Sequence, residues 1–398
     1  MTAERLPPPS TAVGPLAWLR ANLFGSPAST LLTLIMTVIV VAGGLLIADW
    51  AINHARWGVV TNNLKLFLVG LYPFEELWRV WVALLVLSVL TGYSAGAFGG
   101  APSRTLSNWL AAGQATLALL ALVSAMSMTT VVALGANAAV VWLTFMLGLR
   151  LGAPRRLLTF TWIGAVIAIF YLLQGARGTP LELVPTNLWG GLLLTFMLAI
   201  VGIVASFPLG VLLALGRRSD MRAVSLVCTV FIEVVRGVPL ITILFMARIV
   251  LPLFLPGDLR IEDVYRAMAG LTLFSAAYVA ENVRGGLQAI PSGQVEAAQA
   301  VGLNPIQTTL YIVLPQALRA VIPANVGLFI SLLKDTTLVY IVALLELLGI
   351  GRAVLAQAQW FGAHVEVYVF ISVLFFVMCY TMSQASYRLE AQMGVGKR

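Results

Sequence analysis

The chain has 398 residues, 60% of them hydrophobic and only 10% charged, with a formal net charge of +8 and a mean hydropathy of +0.96. Soluble domains carry roughly 25% charged residues, so this chain cannot surround its apolar surface with a charged shell, and a lipid bilayer is its expected solvent. The basic excess sits at the ends of apolar segments instead of clustering in a run, which excludes nucleic acid as a partner.

A helix needs roughly 20 apolar residues to cross about 30 Å of hydrocarbon. Residues 1–27 form a polar, Pro-containing segment. The apolar stretch that starts near Ala28 is too long for a signal-peptide core and has no A-x-A site after it, so it reads as a retained first span. About ten spans are expected on this measure. They lie near 28–50, 78–98, 109–127, 130–149, 157–175, 187–215, 224–253, 266–284, 321–347 and 366–387. Only Met128 and its neighbours separate the third and fourth, which are equally compatible with one bent hairpin. Cys228 and Cys379 lie inside apolar runs and read as small buried hydrophobes. His54 and His364 fall in separate loops, so neither a metal site nor a cofactor is expected.

Lys and Arg in the short loops set the orientation of such a chain. One set of loops and tails holds Arg5, Arg20, Arg104, Arg150, Arg155, Arg156, Arg217, Arg218, Arg222, Arg284, Arg319, Arg388, Lys397 and Arg398. The alternate set holds half as many: Arg56, Lys65, Arg79, Arg177, Arg260, Arg266 and Arg352. The first set is therefore expected in the cytoplasm, with both termini inside and a loop at about 51–77 outside.

A composition break near 176–187, ARGTPLELVPTN, divides the spans into an N-terminal region, 28–176, and a C-terminal core, 186–390, with a basic tail at 388–398. No internal repeat relates the two, so the first is an added region and not a duplication. It shows no ionisable residue at mid-depth and is expected to be dispensable for the transport step.

Two charged pairs fall inside the predicted spans of the core. Glu233 and Arg236 stand three apart, on one helical face. Counted from residue 223 at 1.5 Å per residue, Glu233 is expected about 15 Å deep, with Pro239 inviting a kink just beyond. The pair either closes the bundle as an ion pair or borders the solute route. Lys334 and Asp335 lie about 20 Å into the ninth span by the same rise. As sequence neighbours they point about 100° apart on an intact helix, so each needs another partner or the helix is broken there. Thr336 and Thr337 can bond freed backbone groups, and an interrupted helix at the midplane favours a gate or solute path.

Between the eighth and ninth spans lies a polar island, 291–315. Pro291 and Ser292 are expected to start a short helix over 293–301, Pro in the first turn and Ser as the cap. Glu296 then falls near the positive helix N-terminus, Ala297 and Ala298 leave the backbone open to close contact, and Gly302 permits the following turn. Such a helix fits a groove on a partner; an ordinary interfacial amphipathic helix is the alternative.

Written as Glu296-Ala297-Ala298, three residues, Gly302, nine residues, then Ile312-x-Leu314-Pro315, the island resembles the loop by which permeases of ATP-binding cassette (ABC) importers dock onto their ATPase. Four stretches of 186–390 resemble the polar amino acid family of these permeases: the sixth span at 190–219, FIEVVRGVPL at 231–240, the segment 273–303, and LLKDTTLVY at 332–340. The resemblance implies an all-α integral membrane protein with a five-helix ABC type I importer permease core and a cytoplasmic coupling helix. It implies ATPase-coupling roles for Glu296, Ala297, Ala298, Gly302 and Pro315, and it sets the path or gate candidates Glu233, Arg236, Lys334, Asp335 and Thr336 within the family's signatures. The sequence departs from those signatures at Val238, usually Thr, and Ile243, often Gln, so the partner permease supplies more of the polar path. RWGVVTNNLKLFLVGLYPFEELWRVW at 56–81 resembles a periplasmic loop in a permease subunit of general L-amino acid importers, which carry glutamate, glutamine, aspartate and asparagine among others.

The implied assembly is a bacterial inner-membrane importer. This chain pairs with a second permease, a dimer of ATPase subunits and a periplasmic amino-acid-binding protein. It is not itself an enzyme: GVGKR at 394–398 has Ala391 where a phosphate-binding loop needs its first Gly and no Ser or Thr after Lys397. The competing class is an ion- or proton-coupled secondary transporter, which often shows two related halves.

Overall fold

Every regular element among the described residues of the computed structural model, 14–97, 108, 113, 128–256 and 260–393, is helical. The predicted third span at 109–127 and the tail at 394–398 lie outside them. Among the described residues, seven helices are long and apolar enough to cross a membrane, and the bent pair Arg222–Gly237 and Leu240–Phe254, 107° apart, makes an eighth. The predicted span at 266–284 is the 26-residue helix Asp263–Gln288, less apolar because Asp263, Arg266, Glu281 and Arg284 lie along it.

The chain divides into two compact units between Trp57 and Gly58. In the first, α1 (Pro15–Leu23) precedes α2 (Pro27–Asp49), whose start is fixed by a reciprocal capping box of Ser26 and Ser29. No residue of α2 is buried.

The second unit holds α3 (Gly58–Thr61), α4 (Leu64–Val69), α5 (Leu77–Ala97), α6 (Met128–Leu151), α7 (Arg155–Gln174), α8 (Gly191–Arg217), α9 (Arg222–Gly237), α10 (Leu240–Phe245), α11 (Asp263–Gln288), α12 (Ser292–Ala300), α13 (Leu314–Asp335), α14 (Leu347–Leu355) and α15 (His364–Met393). α5 and α6 approach closely where Gly92 and Gly96 meet Thr144 and the Phe145 carbonyl, the small-xxx-small seam of membrane helices. α11 is the central helix, with α8, α9, α10 and α13 packed on it. α8 and α11 run the same way. Just before them Glu262 accepts the Thr186 N–H at 2.8 Å, and near their other ends Arg217 comes within 3.6 Å of Glu281.

The composition break at 176–187 is not a seam in the packing. Residues 58–79, assigned by sequence to an added region, are built into the core. Phe67 and Tyr72 are fully buried, the Tyr72 hydroxyl donates to the Leu173 carbonyl at 2.7 Å, and the buried Arg79 donates to the Glu182 carbonyl at 2.7 Å. The Phe67 ring meets Phe370 of α15 edge-on, with centroids 5.2 Å apart. These contacts tie residues 58–79 to the C-terminal core.

Gly191, the first residue of α8, shows how tight the junction is. Its φ is +57°, and a Cβ there would lie 2.3 Å from the Phe67 carbonyl oxygen. Gly191→Ala combines a left-handed backbone cost of roughly 1–2 kcal/mol with a backbone clash. We expect a loss of about 3 kcal/mol or more, read as a drop in thermal midpoint of the detergent-solubilised protein; an unchanged midpoint would show that the 58–70 segment yields freely.

Candidate functional site

The 291–315 loop is built by successive caps. α11 ends at Gln288, and Pro291 occupies the N-cap position of α12 without a side-chain bond. Ser292 is the first helical residue and not the cap, and the helix runs 292–300 instead of 293–301. Glu296 is consequently in the second turn, beyond the reach of the strongest N-terminal dipole field.

The exit from α12 is a Schellman turn. The Gly302 N–H donates to the Gln299 carbonyl at 2.9 Å and the Leu303 N–H to the Ala298 carbonyl at 3.1 Å, with Gly302 at φ +86°. A Cβ on Gly302 would meet nothing within 4 Å, so the turn and not crowding demands glycine. Asn304 and Gln307 then cap each other reciprocally at 2.9 and 3.1 Å, with Pro305 in the first turn. Sequence reasoning missed this box, although N-P-x-Q carries its signal.

A wide turn over Thr308–Val313 leads into α13 and packs back on α12. Ala298 is buried in that fold-back, whereas Glu296, Ala297 and Pro315 are exposed. Beside Glu296 the loop exposes large apolar groups, Val301, Ile306 and Tyr311. Val301 precedes the stretch Pro305–Val342 that is long and apolar enough to cross a membrane, and Ile306 and Tyr311 lie within its first turns.

A second cluster lies at the same end of the bundle. Glu233 and Arg236 do not pair with each other. Arg217, the last residue of α8, holds Glu233 at 2.9 Å, and Arg236 holds Glu281 of α11 at 3.2 Å. Arg217 also reaches Glu281 at 3.6 Å, and Arg284 binds both oxygens of Glu281, one at 3.0 Å. The helix pair turns through 107° at Val238–Pro239, just beyond Glu233 and Arg236, and Arg217 ties Glu233 to the end of α8. Arg217, Glu281 and Arg284 were missed as site residues because two of them read as orientation signals.

Lys334 and Asp335 end α13. The chain tightens into a 3-10 turn over Thr336–Val342 and leaves it through Ala343 at φ 57°. The predicted span 321–347 is thus interrupted at the charged pair, the broken-helix alternative of the sequence reading. The Thr336 hydroxyl donates to the Leu333 carbonyl at 2.7 Å and the Thr337 hydroxyl to the Lys334 carbonyl at 2.8 Å, satisfying the backbone where the helix stops. Thr336 is fully buried; Lys334 is exposed and Asp335 half-buried, and neither has an ion-pair partner among the described residues.

A residue that sequence reasoning passed over, Glu346, is fully buried. Its carboxylate accepts the Leu348 and Gly349 N–H groups, both at 2.8 Å, and caps α14, while the Leu347 N–H donates to Thr195 of α8 at 3.2 Å. Its role is to fix the chain after the broken helix, and nothing in the run LLELLGIG separates it from an ordinary charge.

Residues 206–392, which include the loop, Arg217, the Glu281 cluster and the broken helix, match the family described as binding-protein-dependent transport system inner membrane component. Over 425 aligned residues the chain is 37% identical to the glutamate/glutamine/aspartate/asparagine transport system permease protein BztC of Rhodobacter capsulatus, covering 99% of this chain and 96% of that protein. The chain belongs to this family. As an ABC importer permease it also aligns with the inner membrane amino-acid ABC transporter permease protein YhdY of Escherichia coli, 34% identical over 96% of this chain and 94% of that one. The probable glutamine ABC transporter permease protein GlnP of Bacillus subtilis is 35% identical, matching 52% of this chain but 93% of its own length. Shorter permeases of the family therefore manage without the additional length of this one.

Proposed function

We propose that this permease carries acidic L-amino acids and their amides inward, in complex with a second, non-identical permease, two ATPase subunits and a periplasmic binding protein. Both termini and the 291–315 loop face the cytoplasm in this reading, and the loop docks on the ATPase. The observation that supports it is a short helix ahead of the candidate span Pro305–Val342, closed by a Schellman turn, that exposes Glu296 and, just past its end, Val301. Glu296 and Ala297 make contact at the surface, Ala298 and Gly302 hold the loop's shape, and Pro315 starts the following helix. Lys334 and Asp335, at a break in α13, border the solute path, with Glu233 and Arg236 at its cytoplasmic end. The ion-coupled alternative has no support in a chain of this family, and its two halves share no repeat.

Gly302→Val and Glu296→Lys test the docking role in the reconstituted complex. Glu296 and Gly302 lie ahead of the span Pro305–Val342, so both variants should insert normally. Binding-protein-stimulated ATP hydrolysis should fall about tenfold or more, the size of a lost interface hot spot. Normal stimulation with Gly302→Val would remove the assignment.

A further inference from the structure

Glu281 lies about two turns before the end of α11, and only Ala289, Ile290 and Pro291 separate that helix from α12 of the loop. Its carboxylate is the shared acceptor of three guanidinium groups. Arg284 belongs to the same helix and moves with it. Arg217 and Arg236 come from the ends of α8 and α9, at 3.6 and 3.2 Å, and Arg217 also holds Glu233 of α9 at 2.9 Å. Without Glu281 three like charges would face one another across three helix ends; with it, α8 and α9 are fastened to the helix that continues into the loop.

We propose that Glu281 is a positioning residue for energy coupling, a latch through which movement of α12 is passed to α8 and α9. The proposal rests on the docking reading of the loop. A tilt of α12 displaces the end of α11 and carries Glu281 relative to Arg217 and Arg236, while the Arg284 contact within α11 is unaffected. The cluster is partly exposed, with the Glu233 side chain 55% accessible. Charges do not face lipid at low cost, so that open side turns to water or to a partner subunit, where the latch has room to open.

Cys228 of α9 provides the gauge. A Cβ on Gly216 of α8 would fall 2.5 Å from its Sγ, so the half-buried thiol lies against the end of α8 and is partly covered while α8 and α9 stay together. The other cysteine, Cys379, is removed by Cys379→Ala. In the assembled transporter in lipid nanodiscs, the maleimide labelling rate of Cys228 is compared with and without ATP and vanadate. In the Cys379→Ala parent the two rates should differ about tenfold, within the range of coupling between distant sites. Glu281→Gln and Arg236→Gln should bring their ratio close to one and lower uptake by a similar factor, with the ATPase subunits still co-purifying. Arg284→Gln, which removes only a contact within α11, should keep the ratio of the parent. If Glu281→Gln does not assemble, Arg236→Gln alone decides. A parent without a rate difference, variants that keep it, or an Arg284→Gln that loses it as fully as Glu281→Gln would each overturn the latch. Failure of the docking reading is seen separately, as normal ATPase stimulation in Gly302→Val.

Discussion

Lys334→Met and Asp335→Asn should each abolish uptake while the ATPase subunits still co-purify. The two residues end α13 at the break in the helix, and neither has an ion-pair partner among the described residues. A charge held in a membrane span costs roughly 3 kcal/mol unless water or another protein group meets it, so these two are met from outside the described residues of this chain. Loss of an interaction of that size slows a step that depends on it by about a hundredfold. The helix dipole separates function from folding here. Lys334 is favourably placed at a helix C-terminus, but the Asp335 carboxylate is not, at a cost of roughly 0.3–1 kcal/mol. Asp335→Asn should therefore leave the thermal midpoint unchanged or slightly higher while transport is lost, the signature of a residue retained for activity. Near wild-type uptake by both variants would show that the break in α13 is structural alone.

Most of the 291–315 loop's shape was open to sequence reasoning because its structure is local, although the second cap was overlooked. Gly302, Asn304 and Gln307 each act within a few residues, so spacing alone encodes the turn and the second cap, even though the start of α12 was misjudged by one residue. The Glu281 cluster was not legible. Its members come from α8, α9 and α11, and Arg217 and Arg284 look in sequence like any other base at the end of a span. Composition misled at 176–187. That stretch is polar because it turns at the surface, yet it is tied back to α5 and α7: the Val184 N–H donates to Gln174 at 2.7 Å and Arg79 donates to Glu182. Polarity reports exposure to water, not the absence of packing.

The fragment 180–398 should fail to assemble, whereas 58–398 should insert, bind the ATPase and retain measurable transport. The difference follows from where the contacts run. Residues 1–57 form a unit of their own, and no residue of α2 is buried. Cutting at 180 instead strips Tyr72 and Leu173, both fully buried, from the core that contains Trp189, Leu194 and Leu198, and removes the buried Phe67 from beside Phe370. Truncating one such large side chain typically costs about 3–5 kcal/mol, and several are lost together against a net stability of roughly 5–15 kcal/mol. The cut also leaves the Glu182 carbonyl without Arg79. Shorter members of the family do without this region, but here the surface it covers is committed to it. Gly190 and Gly191 stand where side chains would exclude Gly70 and Phe67, with a Cβ on Gly70 only 2.4 Å from the Gly190 Cα. Removing the covering segment uncovers this glycine junction. Co-purification with the ATPase and thermal midpoints of the two fragments decide the matter: an assembled 180–398 with the stability of 58–398 would show that α3 and α4 only decorate the core.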